Sequence, residues 1–360
     1  MSQREEAAAQ DATFLQEDSE PPIPPSDIVA YNELRSCADL FRMYTNGKLE
    51  IQPDFQREVV WKQDDQSRFI DSLVKQLPIP SMCFSLDYKT QRWKVIDGLQ
   101  RMSSIIRFLG QPEWRLSDLP DIHPKLRNVK NVDLRTGDED QRRLYSLVED
   151  VSIPVTVIRC DYSQRSHMLY LFTIFHRLNS GGVRLTNQEI RNCIYSGHFN
   201  NLLKEFDNKN SDWKAIKKRI WGSMDRFRST EVLLRVLALS EDLESYDGNL
   251  ARFLNSYMHR ITNESPEEGD RLLGRLSIAM SQARKALGQE HRRKLSLVLV
   301  EALLVALYIV QAQDRSESDL QLSYQGMVND IAFSESARYA VSSVDNVNTR
   351  VRAAISAFSS

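Results

Sequence analysis

Every strand-like run in this 360-residue chain falls before residue 161, and from Phe199 onward the apolar residues recur only at helical spacing. That break constrains the fold more than any other feature. Residues 48–51, 82–86, 93–96 and 153–160 read as strands. Between them, Leu40, Phe41 and Tyr44 mark a helix over 36–44 that Asn46-Gly47 turns out of. Phe69, Ile70, Leu73, Val74 and Leu77 mark a second helix, capped by Asp64 or Asp65 and stopped by Pro78 and Pro80. Met102, Ile105, Ile106 and Leu109 mark a third over 99–109. Residues 110–150 are polar and read as an insertion or a pair of small elements.

After residue 160 the chain turns helical. Residues 165–178 form an apolar helix that Gly181-Gly182 would stop, and Thr186-Asn187-Gln188-Glu189 has the form of a capping box that opens the next helix. Helical spacing continues through 202–206, 213–221, 231–243, 250–261, 271–287 and 295–310, with no repeat of fixed period. Residues 1–26 are acidic and end in a proline cluster, a composition expected to stay disordered. The organisation expected is therefore a tail over 1–26, an α/β (α+β) domain over 27–184 and an all-α helical domain over 185–360.

Composition narrows the function. A net charge of −2 provides no molecule-wide field for a polyanion, so any nucleic-acid contact has to come from a local patch. Cys37, Cys83, Cys160 and Cys193 show no paired spacing, which argues against a zinc site or a disulfide framework and fits a reducing cytoplasm. The start of the chain does not read as a signal peptide. The apolar run 295–310 is broken by Glu301, so no membrane span or membrane partner is expected.

Three segments could carry chemistry. Asp97-Gly98-Leu99-Gln100-Arg101 sits where a strand gives way to a helix. Free N–H groups and the positive helix end attract phosphate there, Gly98 permits close approach, and Arg101 offers a forked cation. The structural alternative is that Asp97 and Gln100 simply form a capping box. Gln56-Arg57 follows the first strand-like run and reads alone as an ordinary loop. In the third segment, Arg177 to Glu189, a glycine pair frees the backbone, while Asn179 and Glu189 offer oxygen ligands of the kind Mg²⁺ prefers; here Glu189 has its own alternative as a capping-box member.

Taken in order, these segments resemble the N-terminal domain of modification-dependent restriction enzymes of the GmrSD type. That family is marked by an Asp-Gly-Gln-Gln-Arg signature and a ParB/sulfiredoxin-like fold. The resemblance runs through Gln56-Arg57, Val60-Trp61, Ile70-Asp71-Ser72-Leu73, Leu77-Pro78-Ile79-Pro80 and Ile96-Asp97-Gly98, then resumes in Phe175 to Gly182, Leu185, Glu189-Ile190-Arg191 and, more loosely, Leu233-Leu234-Arg235.

The resemblance implies a site for a nucleoside triphosphate (NTP) of unspecified base, with Mg²⁺. Carried over by position, Gln56 and Arg57 would touch the nucleotide, and Asp97, Gly98, Gln100 and Arg101 would form its phosphate end. Asn179 and Glu189 would hold the metal region, with Arg177 and Arg191 as further anion contacts. If the site turns over, Arg57 and Arg101 would counter developing charge and Glu189 would orient water. Leu99 replaces the signature's first glutamine, which leaves hydrolysis more open than binding. His198, His259 and His291 are scattered and form no HNH nuclease pattern, so DNA cutting would need a separate nuclease or effector partner. No G-x-x-x-x-G-K-[ST] motif is present, so the site is not a P-loop.

The expectation is thus an NTP-binding regulatory module of a DNA-related or anti-phage defence system, with oligomeric state left open. Its rival is a non-enzymatic DNA-binding or scaffold protein. The rival rests on Lys214, Lys217, Lys218 and Arg219, continued by Arg226 and Arg228, with Trp213, Trp221 and Phe227 interleaved. Because Trp213, Ile216, Ile220 and Trp221 share core-facing spacing, a packed helix with a solvated basic face is the simpler account of that run. Direct metal-dependent cutting by Asp54, Asp71 and Asp97 would require their convergence. Sulfiredoxin-like thiol chemistry would require a cysteine between Gly98 and Arg101, where none stands.

Overall fold

The computed structural model describes residues 25–51, 61–178, 186–222, 228–288, 294–311 and 315–359. The chain divides into two compact units, 22–184 and 185–360. The first is mixed α/β and the second is helical, in agreement with the fold class expected.

The first unit contains β1 (Val29–Ser36), α1 (Cys37–Thr45), β2 (Leu49–Glu50), α2 (Gln63–Val74), β3 (Met82–Asp87), β4 (Trp93–Asp97), α3 (Leu99–Gly110), α4 (Asn131–Thr136), α5 (Glu139–Asp150), β5 (Ser152–Cys160) and α6 (Arg165–Leu178). The strands form one sheet in the order β1-β5-β3-β4-β2. β1 runs antiparallel to β5, β5 parallel to β3, β3 antiparallel to β4, and β4 parallel to β2. On β5 the residues Ile153, Val155 and Val157 alternate into the core, as period-2 patterning requires. Phe69, Ile70, Leu73, Met102, Ile105, Phe108, Leu144 and Val148 from α2, α3 and α5 join them in one cluster.

The structure adds one strand to these expectations, gives the pair of small elements in 110–150 as helices, and moves one helix start. β1 carries no apolar alternation, because it is an edge strand whose residues are mostly exposed, and only its pairing with β5 makes it a strand. Residues 110–150 hold two real helices, α4 and α5, the latter opened by an Asp138/Gln141 capping box. α2 starts at Gln63 rather than after Asp64 or Asp65, and Asp65 reaches back to accept from the Lys62 N–H at 3.2 Å.

The second unit is built from α7 (Asn187–Ile194), α8 (His198–Lys209), α9 (Ser211–Trp221), α10 (Arg228–Asp242), α11 (Leu250–Thr262), α12 (Pro266–Ala286), α13 (Leu297–Val310), α14 (Glu317–Asn329), α15 (Ile331–Ser336) and α16 (Val344–Ser359). α13 is apolar on nearly every side and packs against α10, α12 and α16, as a helix at the centre of a bundle must. Among the described residues no helix is long and apolar enough to cross a membrane.

A chain of alternating charges threads this bundle. Arg191 on α7 meets Glu231 on α10 at 2.9 Å, and Arg235 meets the other Glu231 oxygen at 2.5 Å. Arg235 and Arg350 then approach Glu301 on α13 at 4.0 and 3.6 Å. All five are buried. Burial pushes the Glu231 carboxyl upward, but the two close guanidiniums outweigh it and hold the group below its ordinary value; at Glu301, where the cations stand farther off, burial wins.

Candidate functional site

β4 ends at Asp97, which pairs with Cys83 of β3, and Gly98 then turns the chain into α3. Gly98 has φ 93° and ψ 17°, the left-handed conformation that L side chains resist. It stands at the N-cap position and accepts the Met102 N–H at 2.8 Å, but it has no side chain with which to cap the first turn. No acidic residue lies in that turn either. The first turn of α3 therefore has no side-chain cap, although Gly98 itself is buried against Met82; an uncapped helix start is the kind of end that attracts an anion.

The capping box expected between Asp97 and Gln100 does not form. Asp97 is still strand, and the left-handed turn puts Gly98 in the cap position instead. Gln100 uses its side-chain oxygen to accept the Trp61 N–H at 3.4 Å. The Asp97 carboxylate accepts from Arg101 at 2.8 Å.

Arg101 is an anchored cation rather than a free fork. It donates to the Pro80 carbonyl, to the Ser81 carbonyl at 3.4 Å and to Asp97, and its side chain is 13% exposed. Burial lowers its pKa and Asp97 pushes it back up; a guanidinium stays charged through such shifts. The orientation of this charge is already fixed, and Asp97 shares it.

The structure adds residues that no local sequence signal marks. Asn32, Thr156, Cys83 and Asp97 stand in register across β1, β5, β3 and β4, so they form one transverse row on a sheet face. The Thr156 hydroxyl donates to Asn32 Oδ1 at 2.8 Å and lies 3.1 Å from Ser81 Oγ. This polar strip leads to the Ser81 carbonyl that Arg101 contacts. It depends on strand register, which links residues 124 positions apart. Within the row, burial and the Asp97 charge push the Cys83 thiol up to about 12.

The remaining candidates divide as follows. Arg177 lies exposed in the last turn of α6, where a cation complements the helix end. Glu189 is buried and closes a capping box, accepting the Thr186 N–H at 2.5 Å while its own N–H donates to Thr186 Oγ1 at 3.2 Å. Arg191 is fully buried, donating to Asn255 and Glu231 at 2.9 Å each and to Gln188 at 3.3 Å. It serves the interior of the helical unit. Gln56, Arg57, Asn179, Gly181 and Gly182 lie outside the described residues, as does Asp54. Asp71 is engaged by Lys75 and by the His123 N–H, and among the described residues no group of three acidic, His or Cys side chains could hold a metal ion.

In the basic run, Lys214 and Lys218 are exposed. Lys217 is tied to Asp207 at 3.0 Å, and Arg219 donates to the Leu287 carbonyl at 3.5 Å. Trp213 is fully buried, donates to Asp207 at 2.6 Å and meets Trp221 edge-on, so its ring is part of the core and not a stacking platform. Arg226 and Phe227 lie outside the described residues.

Residues 37–196 match the family model described as the GmrSD restriction endonuclease, N-terminal domain. The match runs from α1 through α7, with the β4–α3 junction inside it. Neither the curated proteins nor the solved structures returned a match.

Proposed function

We propose that the GmrSD-type N-terminal domain formed by residues 37–196 serves a restriction or defence system by binding a nucleoside triphosphate at the β4–α3 junction. The observation that carries this reading is the left-handed Gly98 before a helix start that no side chain caps, flanked by the anchored Arg101. The first-turn N–H groups of α3 would receive phosphate oxygens, and Arg101 would add a preset charge. Asn179 and Glu189 would be the residues to hold a Mg²⁺, which would supply neutralising charge to the phosphates; Glu189 would have to leave the capping box that it closes.

Leu99 bears on turnover. Where the signature has glutamine, Leu99 packs half-buried against the core cluster and presents no polar group to a nucleotide. This supports binding more than hydrolysis, and a regulatory role in which nucleotide state governs a partner nuclease. Calorimetry with ATP, GTP and CTP plus Mg²⁺ on the wild type and on Arg101→Ala, checked for intact folding, tests the reading. Binding lost in the variant supports the junction; no binding by the wild type rejects it.

The DNA-binding alternative keeps one supporting observation, the exposed Lys214 and Lys218 on α9. It requires that their reversal to glutamate weaken DNA binding and flatten its dependence on salt.

A further inference from the structure

β1 is an edge strand of eight residues, and among the described residues no strand pairs with its outer side. Soluble proteins blunt such edges with lysines, prolines or bulges. β1 has no lysine, proline or bulge, and its charged residues are Glu33 and Arg35: its sequence is VAYNELRS, and its register with β5 runs unbroken from Val29↔Arg159 to Ser36↔Ser152. It also exposes large apolar side chains, with Leu34 71%, Val29 48% and Tyr31 38% accessible. β1 precedes the segment that matches the family.

We propose that β1 pairs with β1 of a second copy of this chain, antiparallel about a two-fold axis that sets Leu34 opposite Leu34. The argument is charge complementarity within a self-pairing strand. Glu33 and Arg35 lie on the same strand face and pair at 2.7 Å within one chain. Antiparallel pairing about a two-fold axis joins residues of the same face, so only a few centres exist. Centring on Glu33 or Arg35 opposes like charges. Centring on Asn32 sets Glu33 against Tyr31 and Arg35 against Val29, leaving both charges opposite apolar groups. Centring on Leu34 places Glu33 opposite Arg35 of the copy twice, and buries the most exposed apolar side chain of the strand against its twin. Within one chain Arg35 is also held by Asp39 at 2.7 Å and lies 5.3 Å from the Trp93 ring centroid, so pairing with the copy's Glu33 would draw on a guanidinium that already has partners.

Sedimentation equilibrium of the full chain tests this, with far-UV circular dichroism confirming each variant's fold. The wild type is expected to dimerise. Glu33→Arg alone and Arg35→Glu alone should each weaken the dimer on the order of tenfold or more, and the double exchange should restore it. Leu34→Lys, at a position too exposed to affect folding, should also dissociate it. Because the four native cysteines are buried, Leu34→Cys should form an intermolecular disulfide on mild oxidation and Asn32→Cys should not. A wild type that is monomeric throughout, a dimer indifferent to these changes, or cross-linking through Asn32→Cys instead would overturn the proposal.

Discussion

A Cβ built on Gly98 would lie 2.5 Å from Met82 Cγ and 2.9 Å from its Sδ. Glycine is therefore required at the junction twice over, by the left-handed backbone and by the methionine packed beneath it. Gly98→Ala should cost about 1–2 kcal/mol for the backbone alone and more for the contact, read as a lowered midpoint in urea. A neutral Gly98→Ala would mean that the turn is not held as described.

If the junction binds an NTP as proposed, placing the signature glutamine with Leu99→Gln should raise phosphate release without improving affinity. Because Leu99 packs on the core, stability should fall by about 1 kcal/mol. If nucleotide binds and release stays at the wild-type level, Leu99 is not what restrains turnover.

The two classes of lysine on α9 should separate cleanly. Lys217→Ala removes a donor to the buried Asp207, which also accepts from Ser229 at 2.9 Å and Thr230 at 3.0 Å, and should cost roughly 1–3 kcal/mol. Lys214→Ala and Lys218→Ala should stay within about 0.5 kcal/mol of wild type. Equal effects at all three positions would contradict the different settings of these side chains.

Burial pushes the thiols of Cys37, Cys83 and Cys160 up to about 12, from an ordinary value of 9.0. In the unfolded chain they lose protons first, so stability is full below about pH 9 and declines as pH rises toward 12. The slope should reach about 1.4 kcal/mol per pH unit for each thiol. Folded protein at pH 8 should leave these three unreactive to a thiol reagent that modifies them readily in urea; rapid native labelling of any of them would refute this.

Glu231→Gln should destabilise the helical unit by about 3–5 kcal/mol, since it leaves Arg191 and Arg235 without the carboxylate that offsets their burial. Replacing Arg191 and Glu231 together with methionine and leucine should cost less than Glu231→Gln alone. Denaturant midpoints of the two variants decide between them.

The helices and central strands were legible because their apolar residues repeat with the period of the element: Met102, Ile105 and Ile106 on α3, and Ile153, Val155 and Val157 on β5. β1 was not legible, since its partner lies more than a hundred residues away and its own faces carry no pattern. The strand-to-helix turn at Gly98 was visible, but its left-handed geometry was not, and this is what displaced Asp97 from the cap. Nor could Asn32, Ser81 and Thr156 be foreseen, as only sheet register links Asn32 and Thr156 to the Ser81 that Arg101 contacts. Arg191 illustrates the converse: a motif position marks a residue as important without saying whether it faces a ligand or a core, and its partners Glu231 and Asn255 come from helices far along the chain.

The segment shared with the family ends at residue 196, whereas the α/β unit ends at 184, and α7 lies between the two limits. The matched segment thus takes in one helix that belongs to the helical unit. A gene that kept the whole family segment and lost the rest would encode a helix carrying Arg191 with no Glu231 or Asn255 to receive it. Cutting the chain at the limit of the matched segment would therefore leave a cation without the two acceptors that offset its desolvation, so the boundary drawn by similarity is not one at which the helices can be parted.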